Sequence, residues 1–249
     1  RQINCAKYIK RNYPDINIII DSAIDPYFLL ENKIDDTDAD FIFTSLNKFF
    51  PVPDGSILSS LKNLDIAYTK KENLSFSFSL LSSFAMKLAH SNSNYNKELE
   101  EISVDFQNQY EREMNLKSEY YPISKLSMKI FSNINFLKVK KTRRSNYQYL
   151  QNQLSGNKFI KIVKKNLNEN DVPLVLPIEI VNADRDTVRS KLAELNIFCP
   201  VHWPLGKYSD LPIGSFSKNK ILNGMGIIID QRYNKTELTR IVNFFEKLG

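Results

Sequence analysis

The most reactive arrangement in this 249-residue sequence is a lysine set close behind an apolar strand. Lys48 follows residues 40–44 (D-A-D-F-I-F-T ends there) across the short step Ser45-Leu46-Asn47, with Leu46, Phe49 and Phe50 around it. Partial burial among such side chains disfavours the ammonium form and frees an amine able to condense with a carbonyl. Asp21 ends an earlier apolar run, residues 16–20. Ligands of an open α/β sheet bind beyond the carboxyl ends of its strands, so Asp21 and Lys48 are expected to meet in one crevice. Ser45, or Thr44 if the loop turns differently, would offer a hydroxyl to an anionic group there. Alone, a strand-end Asp reads as a turn cap and a loop Lys as a solvated cation; the pair is what points to chemistry.

That chemistry matches the needs of pyridoxal 5′-phosphate. The cofactor attaches through a lysine amine and acts as an electron sink only while its ring nitrogen keeps a proton, which an adjacent carboxylate maintains. Lys48 fits the first role, Asp21 the second, and Ser45 or Thr44 the phosphate.

The elements that must position these residues can be read from spacing. Ile3, Ala6 and Ile9 predict a short helix stopped by Asn12-Tyr13-Pro14. Residues 16–20 and 40–44 read as strands buried on both faces, and residues 56–60 as a further strand after the Pro51-Val52-Pro53-Asp54-Gly55 turn. Residues 74–116 read as two helices broken at 92–94, and residues 125–154 as helix interrupted near 133–135. Strands over 159–164, 174–181 and 226–229, with helices over 184–195 and 235–248, make a smaller α+β domain. The boundary is expected near Tyr120-Tyr121-Pro122, giving domains 1–120 and 121–249.

Composition excludes several classes. A hydrophobic fraction of 42% with 25% charged residues describes a globular chain with no run of apolar residues near the length of a membrane span. The net charge of +6 is spread along the chain, so no nucleic-acid partner is expected. Cys5 and Cys199 stand far apart without a CxxC or His cluster, which argues against a zinc site and fits a reducing, cytoplasmic setting.

The stretches I-I-I-D-S-A and D-A-D-F-I-F-T-S-L-N-K-F-F-P-V-P-D-G resemble the aspartate strand and lysine loop of the DegT/DnrJ/EryC1/StrS family of pyridoxal-phosphate-dependent sugar aminotransferases. The resemblance continues through Thr142-Arg143-Arg144-Ser145-Asn146-Tyr147, Pro200-Val201-His202-Trp203-Pro204 and Ile229-Asp230-Gln231-Arg232-Tyr233. It implies an aspartate-aminotransferase-like (fold type I) α/β architecture, with a partial large domain and a small carboxy-terminal α+β domain. It also implies a homodimer, glutamate or glutamine as amino donor, and a keto-sugar carried on a nucleotide as acceptor. Family members carry His or Gln three residues after the aspartate, where Ile24 stands, and a phosphate loop upstream that is not found ahead of Lys48. The sequence is therefore expected to start mid-protein, and a non-catalytic scaffold or subunit of the same fold is the alternative reading.

Three further residues are candidates for substrate contact. His202 and Trp203 lie between two prolines in a loop that the resemblance sets near the substrate mouth, where simple packing is the competing role. Arg232 could clamp a donor carboxylate with its guanidinium fork, or pair with neighbouring Asp230 at the surface. The basic run Lys138, Lys140, Lys141, Arg143 and Arg144 reads as a solvated helix face.

Overall fold

The computed structural model describes residues 2–31, 34–64, 67, 71–93, 96–116, 120–202 and 214–248. Backbone contacts divide the chain into two compact units, Arg1–Ile134 and Asn135–Gly249.

The first unit opens with helix α1 (Gln2–Asn12), strand β1 (Ile19–Asp21) and the short helix α2 (Pro26–Glu31). Strands β2 (Phe41–Ser45) and β3 (Ser56–Ser60) follow, then helices α3 (Leu74–Asn92), α4 (Lys97–Leu116) and α5 (Lys125–Ser132). β1 runs parallel to β2, with Ile20 opposite Ile42 and Asp21 opposite Phe43, whereas β3 returns antiparallel with Leu58 opposite Phe43. Side chains alternate across the sheet, so Ile18, Ile20 and Ile42 share one face, where Ala6 and Ile9 of α1 cover them.

Residues 16–20 were expected to be buried on both faces, and the structure corrects this. Only Ile18 and Ile20 are buried; Ile16 and Ile19 are 50% and 62% exposed. The cause is topological: among the described residues β1 lies at the edge of its sheet, and α1 covers a single face.

Asp40 fastens the start of β2. Its Oδ2 accepts the Ile18 backbone N–H at 2.8 Å and the Lys10 ammonium at 3.0 Å, and Oδ1 meets Lys62 Nζ at 2.9 Å. The Lys62 bond, with the Ile18 N–H and Lys10, holds this buried carboxyl well below the usual carboxylate range against the opposing effect of burial.

Helices α3 and α4 form a close antiparallel hairpin because small residues line the contact. Ser83 and Ser103 are fully buried and their hydroxyls lie 3.3 Å apart. The contact division falls after Ile134 rather than near residues 120–122, because α5 is tied back into the first unit. Phe131 packs on Phe50 with ring centres 5.6 Å apart, and the α5 cap Ser124 gives its N–H to Asp54 at 2.9 Å.

The second unit comprises α6 (Phe136–Leu154), β4 (Ile160–Ile162), β5 (Val175–Ile180), α7 (Arg185–Glu194), α8 (Ser215–Asn223), β6 (Gly224–Ile228) and α9 (Lys235–Lys247). Its sheet is antiparallel in the order β4-β5-β6. Leu176, Ile178 and Ile227 pack with Leu150 and Leu154 of α6 and Leu238 and Phe245 of α9. An Asn234–Glu237 capping box starts α9. Helix α8 was not foreseen. The basic run on α6 is not one solvated face: Arg143 is buried and donates to the Pro173 and Leu174 carbonyls, and Arg144 to those of Asn168 and Asp171. Among the described residues no helix is long and apolar enough to cross a membrane.

Candidate active site

Lys48 sits on a turn pinned from both sides. The Phe49 and Phe50 N–H groups return to the Leu46 carbonyl at 3.1 and 2.8 Å, and Leu46 N–H donates to Gly55 O at 3.0 Å, closing the loop between β2 and β3. Leu46, Phe49, Phe50 and Val52 are all buried, and Tyr27 of α2 meets the Phe49 ring edge-on and the Phe50 ring at a tilt. Lys48 itself is exposed. The expected partial burial of its ammonium is thus corrected: the flanking aromatic residues turn inward as anchors and leave the lysine on the outside of the turn.

Asp21 ends β1 with its side chain exposed, and its Oδ1 accepts the Ala23 N–H at 2.9 Å. Because Asp21 is opposite Phe43, and Ser45 lies two residues beyond Phe43, Asp21 and Ser45 project from the same sheet face. This is the face opposite α1, and Ile19 and Leu58 are exposed on it. Thr44 points the other way. It is fully buried and gives its hydroxyl to the Ser22 carbonyl at 2.7 Å, so strand alternation takes it out of the cluster and into the seam between β1 and β2.

Ser45 Oγ donates to Asn47 Oδ1 at 2.7 Å, and Asn47 Nδ2 donates to the Tyr110 hydroxyl at 2.7 Å. Tyr110 comes from α4 and lies against the Phe76 ring, with centres 4.4 Å apart. Burial raises the Tyr110 phenol above its ordinary value, opposed by the Asn47 hydrogen bond. Neither Asn47 nor Tyr110 was marked by the sequence, since 63 residues separate them. Asp54 was read only as part of a turn, yet it accepts from Ser124 N–H and from the Ser77 hydroxyl, joining the lysine loop to α5 and α3.

In the second unit, Arg232 grips Asp230: Nη2 reaches Oδ2 at 2.5 Å and Nε reaches Oδ1 at 3.0 Å. Burial would raise the Asp230 carboxyl, but the Arg232 bonds hold it below its ordinary value. His202 is exposed, and Trp203 lies outside the described residues. Among the described residues no group of His, Cys, Asp and Glu could hold a metal ion.

By sequence the chain matches no family profile and no curated protein. By structure it has an α/β fold shared with aminotransferases. Matching structures include DesI, solved in the presence of its TDP-sugar product (TM-score 0.58, 10% identity, 98% of this chain and 58% of that one). Spr1654 from Streptococcus pneumoniae in its PMP form matches with TM-score 0.55 and 15% identity over 96% of this chain and 60% of that one. A DegT DnrJ EryC1 StrS aminotransferase from Brucella abortus matches with TM-score 0.55 and 12% identity over 100% and 61%. The chain therefore spans about three-fifths of the length of these proteins, and at such identities the likeness is one of fold.

Proposed function

We propose that this chain is part of a pyridoxal-phosphate-dependent aminotransferase of fold type I, moving an amino group from glutamate or glutamine to a keto-sugar carried on a nucleotide. The observation that carries the proposal is the exposed Lys48 amine at the end of β2, three residues beyond Ser45, which shares a sheet face with Asp21. DesI, a fold neighbour, was solved with a TDP-sugar product, which supports the substrate class, and Spr1654 in a PMP form, which supports the cofactor.

The residues fit the cofactor in kind. Lys48 offers a primary amine, Asp21 a carboxylate with Oδ1 engaged by Ala23 N–H and Oδ2 left to face a ring nitrogen, and Ser45 a hydroxyl for phosphate. Bound there, the cofactor supplies an aldehyde to take up the amino group and a pyridinium ring to draw electrons from the substrate carbon. Lys48 Nζ would hold the group and would carry a proton to and from the substrate carbon. Asp21 would keep the ring nitrogen protonated. Ser45 is the phosphate donor in this scheme, because it lies on the sheet face of Asp21 whereas Thr44 is fully buried on the other face; the Ser45 hydroxyl would have to leave Asn47 Oδ1 to donate there. Of the substrate candidates His202 is retained, whereas the guanidinium fork of Arg232 is taken by Asp230.

Borohydride reduction in the presence of pyridoxal 5′-phosphate, followed by peptide mapping, tests the reading. The label is expected on Lys48. A label confined to other lysines would instead favour a non-catalytic protein of the same fold.

A further inference from the structure

The lysine loop is wired to a helix far along the chain by hydrogen bonds that can run in either direction. As the structure stands, Ser45 O–H donates to Asn47 Oδ1 and Asn47 Nδ2–H donates to the Tyr110 oxygen, each over 2.7 Å. A primary amide is nearly symmetric in shape but opposite in polarity at its two ends. A half-turn of the Asn47 amide about its terminal torsion leaves every heavy atom close to its present position and reverses both bonds. Tyr110 O–H then donates to Asn47 Oδ1, Asn47 Nδ2–H donates to Ser45 Oγ, and the Ser45 proton is released for an outside acceptor.

The two directions differ in what they offer at the sheet face. In the first, Ser45 presents only lone pairs and repels an anion. In the second it presents an O–H donor whose oxygen already receives a hydrogen bond, which strengthens its own donation. Only a residue able both to accept from and to donate to Asn47 permits the exchange, and a phenol does both.

We propose that Tyr110 is a positioning residue for a phosphate site: acting through Asn47, it turns the Ser45 hydroxyl from a spent donor into one that faces a phosphate oxygen. The proposal rests on the reading of Lys48 and Ser45 as a pyridoxal-phosphate site. Burial of Tyr110 supports it, because a phenol with a raised pKa stays protonated, and able to donate, through the neutral and mildly alkaline range. The Phe76 ring packs against the phenol ring, which favours the amide as the moving part.

Tyr110→Phe keeps the ring packing and removes only the hydroxyl. The probes are pyridoxal 5′-phosphate and pyridoxal, each trapped on Lys48 by borohydride and scored by the initial rate of labelling. Tyr110→Phe should lower the preference for the phosphorylated aldehyde about fivefold while leaving pyridoxal labelling within about twofold of wild type. An unchanged preference, or an equal loss for both aldehydes, would overturn the proposal, the latter by showing that Tyr110 only braces the loop. A second readout does not depend on Lys48. Titration with inorganic phosphate should move the Asn47 side-chain amide NMR signals in the wild type and not in Tyr110→Phe. Signals that stay fixed in the wild type overturn the phosphate switch even if Lys48 is labelled, whereas signals that move without labelling at Lys48 retain it and remove the reading of the lysine.

Discussion

Asp54 and Ser124 stand 70 residues apart in sequence, and the Asp54 carboxylate accepts the Ser124 backbone N–H at 2.9 Å. Ser124 is itself the cap of α5, its Oγ taking the Ser127 N–H at 3.1 Å. Since the second Asp54 oxygen holds the Ser77 hydroxyl of α3, one side chain sets the end of the lysine loop against two helices. Asp54→Ala should therefore lower unfolding free energy by about 2–3 kcal/mol, the value of hydrogen bonds to a charged group, measured by urea denaturation. Asp54→Asn, which keeps one acceptor, should recover about half of the loss.

Gly55 carries the adjacent conformational demand. Its φ is +112°, and a Cβ there would lie 2.4 Å from Ile123 Cδ1 and 3.3 Å from Leu46 Cδ1. Gly55→Ala should cost about 1–3 kcal/mol in the same assay. The double variant Gly55→Ala/Ile123→Ala should stay below Ile123→Ala alone, because removing the clash leaves the backbone strain in place.

The acid stability of the first unit should report Asp40. Its folded-state pKa is depressed, chiefly by the Lys62 hydrogen bond, then by Ile18 N–H and Lys10. A depressed carboxyl contributes stability above its unfolded pKa and loses it as pH falls toward the folded value. Urea midpoints should thus decline below about pH 4 in the wild type. Asp40→Asn should be less stable by about 2 kcal/mol at pH 7, a modest figure because Lys62 is half exposed to screening solvent, and the gap should narrow on acidification. A gap that holds constant down to pH 2.5 would assign Asp40 no electrostatic role.

We further propose that the protein forms a homodimer, as the family resemblance implies. Helix α3 leaves Leu74, Phe78 and Leu88 about two-thirds exposed, and such apolar surface favours a partner. Light scattering at micromolar concentration should give twice the chain mass. Phe78→Glu should shift the population toward monomer.

What could be read in advance follows from how local each signal was. The helix break at Asn92, the α5–α6 interruption and the return of β3 after Asp54-Gly55 are set by caps and turns within a few residues, and spacing found them. Lys48 and Asp21 could be singled out as candidates because each follows closely on an apolar run. The exposure of Ile19 was not, since a run of isoleucines looks the same whether one face or two are covered, and coverage depends on which helices arrive. Nor was the inward turn of Phe49 and Phe50, which depends on Tyr27 and Phe131. Residues that act through partners tens of positions away, Asp40, Asp54 and the Asn47–Tyr110 pair, left no trace in spacing.

Asp21 is the residue on which a structural and a chemical role can be separated by one atom. Its Oδ1 accepts Ala23 N–H at 2.9 Å, and an asparagine whose Oδ1 keeps that position preserves the turn, so folding should change by less than about 0.5 kcal/mol. The change removes the negative charge that would keep a ring nitrogen protonated. If Asp21 faces the cofactor, Asp21→Asn should still be labelled at Lys48 by pyridoxal 5′-phosphate and borohydride, while amino transfer from glutamate falls at least about a hundredfold, roughly 2.7 kcal/mol of lost transition-state stabilisation. The absorbance of the bound cofactor should shift as well, since ring protonation changes its electronic states. Near-normal transfer by Asp21→Asn, with unaltered absorbance, would assign the carboxylate to the turn alone and send the search for the ring partner elsewhere on the sheet face that carries Ser45.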